Sequence, residues 1–190
     1  MNAPKAAYSV GASWLHWATA IPLIGCVGTV LKAQDAPKSE KGTWMHRHKS
    51  LGLLTGMIVL PRVAYRLGNM AAYKVKGIPG VSDVEHKAAS LTHYALYGFM
   101  TVMPATGIAM GYFGGKGLPF FGTTFGGIVS TDDTKARNGS IAKNSFKIHK
   151  QLGTYGKFVV PLHVAGAFQH FFRGHTIFAR VNPFRGPPKH

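Results

Sequence analysis

The 190-residue chain is 46% hydrophobic and sets 22 Lys and Arg against only 6 Asp and Glu, a formal charge of +16. Such an excess requires an anionic neighbour, and nucleic acid, an acidic partner chain or an anionic lipid surface would each supply one. The distribution of charge selects lipid and excludes nucleic acid: 26 residues without formal charge separate Lys5 from Lys32 and 28 separate Lys87 from Lys116, each run long enough to cross a hydrocarbon core.

A single all-α domain follows, an integral membrane four-helix bundle with helices at about 10–32, 46–67, 86–113 and 147–173. Polar stretches at 32–47, 66–87 and 131–147 read as loops, and they dilute the mean hydropathy to +0.05. The first helix carries Trp14, His16 and Trp17 near its start and has no convincing small-residue cleavage site, so it reads as a retained span rather than a signal peptide. Its Cys26 is the chain's one cysteine, which rules out a disulfide framework and reads as packing. The second helix passes through Pro61 and Arg62 to Arg66, with Gly52 and Gly56 as a small-residue step. Arg66 can snorkel to the interface, whereas Arg62 lies deeper and should point into the bundle toward a negative group.

After the third helix, 114–122 reads as an irregular interfacial connector whose Phe120 and Phe121 sit among headgroups. The fourth helix carries Gly153 and Gly156 for close approach. It also carries Lys157 at mid-span, to be accommodated by snorkelling or by an ion pair with a partner subunit. A basic tail at 174–190 ends the chain. Four antiparallel spans put the amino terminus, loop 66–87 and the tail on one side, assigned to the cytoplasm or its organellar equivalent, with a bacterial or mitochondrial inner membrane as the expected site.

The chemistry lies in the histidines. His149 and His163 are fourteen residues apart, which on a continuous helix is about 21 Å of rise and nearly four whole turns, so both fall on one face at two depths. The alternating direction of the spans then sorts the others. His48 opens the second helix in the same outer layer as His149, and His16 lies in the same inner layer as His163. Each layer thus offers two imidazoles to one haem, and an iron held by two imidazoles keeps no open position, which favours electron transfer over oxygen chemistry.

Arg62, fourteen residues beyond His48, reaches the inner depth, where it can meet a haem propionate. His93 is the rival to His16, and His46 the rival to His48. His170, two turns past His163, falls at the inner interface, where a quinone headgroup can meet it; His86, His175 and His190 read as solvent-facing.

These residues resemble the bacterial-type cytochrome b561 proteins through nearly the whole chain. The resemblance is carried by Ser13-Trp14-Leu15-His16-Trp17, by His48 with Gly52 and Arg62, by His93-x-x-x-Tyr97 with Pro104 and Gly107, and by His149, Gly153, His163 and His170. It implies two haem b groups, one on His16 and His163 and one on His48 and His149, and electron exchange with ubiquinone. One branch resembles a superoxide:ubiquinone oxidoreductase, and His170 and, more loosely, Lys76 match its quinone end.

Lys157, the basic excess and the long segment 122–147 depart from the family pattern, and point to a second expectation: a haem-retaining subunit of a larger respiratory complex without turnover of its own. A zinc-binding bundle is the third, disfavoured because the two histidine layers are too far apart for one tetrahedral site and carboxylates are scarce in the helices.

Overall fold

A computed structural model describes residues 7–70 and 77–184. Four long helical stretches dominate it. Helix α1 (Val10–Asp35) begins at Ser9, whose hydroxyl accepts from the Ala12 N–H at 3.2 Å. Helix α2 (Lys38–Gly68) follows after two residues. Helix α3 (Asp83–Phe113) starts with a reciprocal cap between Ser82 and Glu85. Helix α4 (Asp132–Gly156) and helix α5 (Val159–Phe172) are successive, and a short helix α6 (Ile177–Arg180) lies in the tail.

Four expectations are corrected. The segment 32–47 is mostly helix, because Pro37 fixes the φ of the entry and Glu40 and Lys41 form helix readily; Glu40 sits in the first turn, where a carboxylate offsets the helix dipole. The polar stretch 131–147 is likewise helix, opened by Asp132 and Asp133 in its first turn and by a 2.9 Å bond from the Thr131 N–H to the Thr134 hydroxyl. In both places polarity marks helix outside the hydrocarbon, not loop.

The continuous helix expected at 147–173 is broken after Gly156. Pro161 has no N–H for the Lys157 carbonyl, and Gly153 and Gly156 weaken the turn before it. Pro61 in α2 follows Met57, Val59 and Leu60 instead, and there the helix runs on. The connector at 114–122 is partly ordered as a hairpin of β1 (Leu118–Phe120) and β2 (Thr123–Phe125), antiparallel with Phe120 opposite Thr123. Its turn residue Phe121 takes a φ of 51°, in the left-handed region. Both its backbone groups are held by α2: its N–H by Ser50 Oγ at 2.9 Å and its carbonyl by His46 Nε2 at 2.7 Å.

Helix α1 packs along α2 and α3 along α4, and the two pairs meet chiefly where α2 crosses α3. Glycines set these approaches. A methyl on Gly56 would stand 2.9 Å from Pro104, and one on Gly156 would overlap the Phe99 ring. The buried apolar centre is small, built on Val59, Leu96 and Met100 with Val63, Tyr97, Val159 and Val160 around it. Large apolar side chains face outward instead, among them Leu60 (72% exposed), Ile21 (67%) and Leu162 (62%). That inversion suits a chain whose surroundings are lipid. Among the described residues two helices, α1 and α2, are long and apolar enough by themselves to cross a membrane.

The end expected on the inner side, where α1 begins and α2 and α5 finish, is tied together. Tyr8 N–H donates to the Arg180 carbonyl at 3.1 Å, Trp17 Nε1 to the Val181 carbonyl at 2.9 Å, and Arg180 to the Gly77 carbonyl at 3.4 Å. An ion pair of 2.6 Å joins Glu85 at the start of α3 to Arg173 at the end of α5. The described part of the tail thus folds back onto α1 and the α2–α3 connection.

Candidate functional site

Two pairs of imidazoles face each other across the open side between α1/α2 and α4/α5. In the outer pair the rings of His48 and His149 have centroids 6.1 Å apart. The environments of the two rings match. His48 Nδ1 lies 2.9 Å from the Cys26 carbonyl, and His149 Nδ1 lies 3.0 Å from the Met103 carbonyl. A carbonyl only accepts, so each Nδ1 carries its proton and each Nε2 keeps a free lone pair. Gly107 leaves room for the second ring, since a methyl there would stand 3.3 Å from His149 Cε1.

In the inner pair His16 and His163 have centroids 6.3 Å apart. His93 is nearer to His163, with ring centroids 5.1 Å apart. Arg62 Nη2 lies 3.4 Å from His16 Nδ1. Its guanidinium stands 5.6 Å from the Tyr97 ring centre, and that of Arg66 stands 4.7 Å from it, with a 3.3 Å bond from Arg66 Nη1 to the Tyr97 hydroxyl.

The unbroken helices measure the separation of the levels. From His16 to Cys26, the residue that touches His48, is ten residues of α1, about 15 Å of rise; from His48 to Arg62 is fourteen residues of α2, about 21 Å. The break between α4 and α5 therefore leaves two distinct levels.

The other expected residues are placed as follows. His170 ends α5 with its Nδ1 buried and without a hydrogen-bond partner, its ring 5.7 Å from His175 and within electrostatic reach of Glu85, Arg173 and His86. His175 and His86 are thus partly buried beside His170 rather than plainly solvent-facing, because the tail folds back over this end. Lys76 lies outside the described residues. His46 turns to the hairpin, away from His48. Lys157 stands at the helix break with its ammonium 5.1 Å from the Phe158 ring centre. Among the described residues no three of His, Cys, Asp and Glu are grouped as a metal ion held by the protein alone would require.

The family model of the prokaryotic cytochromes b561 matches residues 7–182. The chain belongs to the prokaryotic cytochrome b561 family. It is accordingly a membrane-integral protein of electron transfer that binds haem b. No curated protein matches it.

The geometry fits the cofactor of a cytochrome b561. Two imidazoles on opposite sides of one metal, each bonded at about 2 Å, have ring centres about 6 Å apart. The separations of 6.1 Å and 6.3 Å meet that span, while the 5.1 Å between His93 and His163 is short of it. The outer donors are neutral imidazoles with Nδ1–H engaged, the state in which Nε2 ligates metal.

The residues that sequence reasoning missed are the acceptors. Any residue type carries a carbonyl, so Cys26 and Met103 gave no signal of their role, and Cys26 read only as packing. Thr106, 3.1 Å from His149 Nδ1, was also missed.

Proposed function

We propose that this cytochrome b561 is a multi-pass four-helix membrane protein holding two haem b groups, one between His48 and His149 and one between His16 and His163. Through them it passes electrons between an outer-side donor, superoxide among the candidates, and ubiquinone at the inner side. The observation that carries this reading is the presence of two facing imidazole pairs at metal-spanning separation on two levels. Each haem, when bound, supplies a one-electron carrier.

The chain's own residues do the rest. The Cys26 and Met103 carbonyls hold the outer imidazoles in the tautomer that presents Nε2. At the inner level His16 Nδ1 accepts from Arg62, so ligation through Nε2 calls for the guanidinium to turn to another acceptor, and a propionate carboxylate beside His16 is the natural one. His170, with its orphaned Nδ1, offers a hydrogen bond to a quinone carbonyl, and Lys76 supplies a cation in the preceding connection. Glu85, His86 and His175 around it give proton-exchanging groups at that end, and Arg173 adds a fixed positive charge.

Haem quantitation tests the reading: the purified protein should contain two haem b per chain. His48→Ala or His149→Ala should each remove one haem, and His16→Ala or His163→Ala the other. Two haems retained in any of these overturns the pairing, and His93→Ala losing the inner haem while His16→Ala keeps it moves the ligand to α3. Reduction by quinol or by a superoxide source on a fast timescale supports turnover.

Lys157 favours a second reading, an accessory subunit of a respiratory complex. A lysine at an apolar helix break costs several kcal/mol facing lipid and is well served by an acidic group of a neighbouring chain. Indifference of both haems to quinol and superoxide, with retention in a larger assembly that Lys157→Met disrupts, selects it.

A further inference from the structure

Both outer histidines give their Nδ1–H to a main-chain carbonyl, and in each case a threonine three residues further along the accepting helix bonds to that same carbonyl. On α1, Thr29 Oγ1 lies 2.9 Å from the Cys26 carbonyl and 2.8 Å from that of Gly25. On α3, Thr106 Oγ1 lies 2.9 Å from the Met103 carbonyl and 2.8 Å from that of Val102. Thr19, Thr55 and Thr154 bond back along their helices too, to the carbonyls of Leu15, Leu51 and Lys150, but none of the described imidazoles donates to those.

The correspondence extends to a second heteroatom at each nitrogen. Cys26 Sγ is 3.2 Å from His48 Nδ1, and Thr106 Oγ1 is 3.1 Å from His149 Nδ1. Two helices of unrelated local sequence thus present the same carbonyl and threonine to the two rings of one level, and differ in whether the threonine itself reaches the ring.

We propose that Thr29 and Thr106 are positioning residues that set how strongly the outer imidazoles are polarised, and with it the midpoint potential of the outer haem. The inference rests on His48 and His149 being that haem's ligands. An imidazole N–H···O=C bond pushes electron density onto the ring, makes Nε2 a stronger donor and favours the ferric state. A hydroxyl proton on the same carbonyl withdraws density from the acceptor and weakens that push. Thr29 acts in this one sense, because its hydroxyl touches the carbonyl and not the ring. Thr106 acts in two senses, weakening the Met103 carbonyl while accepting part of the imidazole proton itself, so its removal makes opposed changes.

Optical redox titration of the haem-loaded protein, with electron paramagnetic resonance of the ferric haems, tests this. Thr29→Val should lower the outer potential, cutting the reduced-to-oxidised ratio at a fixed potential by roughly three- to tenfold, tenfold being about 59 mV for one electron. Thr29→Ser should restore the wild-type titration. Thr106→Val should shift the potential less but alter the outer haem's g-values, because the ring loses a direct partner. The inner haem and Thr154→Val should titrate as wild type.

A fully loaded Thr29→Val protein with an unchanged outer potential overturns the inference, as does an equal shift of both haems. Should valine prevent loading, Thr29→Ala makes the same comparison. His48→Ala, run alongside, separates the two failures: if it keeps both haems the ligand assignment falls, and if it loses one while Thr29→Val changes nothing, only the role of the threonines does.

Discussion

At the residue scale the close approaches are made by missing side chains. Gly156 is where α4 meets the face of Phe99, and a methyl group there would overlap the ring. Phe99 is itself buried, so it has little space to retreat. Gly156→Ala should therefore cost about 1–3 kcal/mol through over-packing, read as a lower unfolding midpoint in detergent. In a Phe99→Ala background the same change should cost less than about 0.5 kcal/mol, because the clashing partner is gone. An equal loss in both backgrounds would place the cost outside the Phe99 contact, since helix propensity favours alanine over glycine. The histidines were legible at this scale because spacing and span direction sort them by depth; their hydrogen-bond acceptors were not, since a backbone carbonyl has no letter of its own. That His93 also stands against His163 follows from the rotation of α3, which one helix's spacing does not report.

At the element scale the first three helices cover the apolar runs that defined them, and the departures fall where polarity was the only sign and at the break in the fourth. Residues 38–45 and 132–146 are helical with acidic first turns, Glu40 in one and Asp132 and Asp133 in the other, and such helices need no hydrocarbon around them. The break at Lys157 had a local signal in Pro161, outweighed by the fourteen-residue spacing that treated the helix as continuous. The clasp between elements at the inner end is electrostatic. Arg173, hydrogen-bonded to Glu85, holds that carboxyl below its ordinary value of 4.5, with the Ser82 N–H adding to the effect. A carboxyl whose folded value is depressed contributes stability above its unfolded value, and that contribution is lost as pH falls through the folded one. The protein should accordingly lose part of its thermal stability on acidification below about pH 4.5. Glu85→Gln should be less stable at neutral pH and show a flatter decline over that window, as followed by the melting of the helical circular dichroism signal. An unchanged slope in Glu85→Gln would put the acid sensitivity elsewhere.

At the scale of the whole molecule the packing is lopsided. Helices α1 and α2 form one slab and α3, α4 and α5 another, joined where α2 meets α3 and the hairpin, and facing imidazole pairs stand across the other side. Few side chains are buried between the slabs, so haem held between the histidine pairs as proposed would act as a cross-link, its binding free energy adding to folding free energy. Haem removal should therefore do more than abolish colour. At free haem a thousandfold above its dissociation constant the linkage amounts to about 4 kcal/mol per site. Protein made under haem limitation should melt well below the loaded form and show spin-label distances between α1 and α5 that are longer and broader. Distances between α1 and α2 should stay as they are, because that slab has its own contacts. His16→Ala should widen the distribution at the inner level and His48→Ala at the outer, each leaving the other level narrow, since the levels are some 15 Å or more apart along α1. If the haem-free chain keeps the α1–α5 distance of the loaded one, the slabs are held by the α2–α3 and hairpin contacts and the tail clasp without the haems, and the imidazole pairs are passengers on a finished fold.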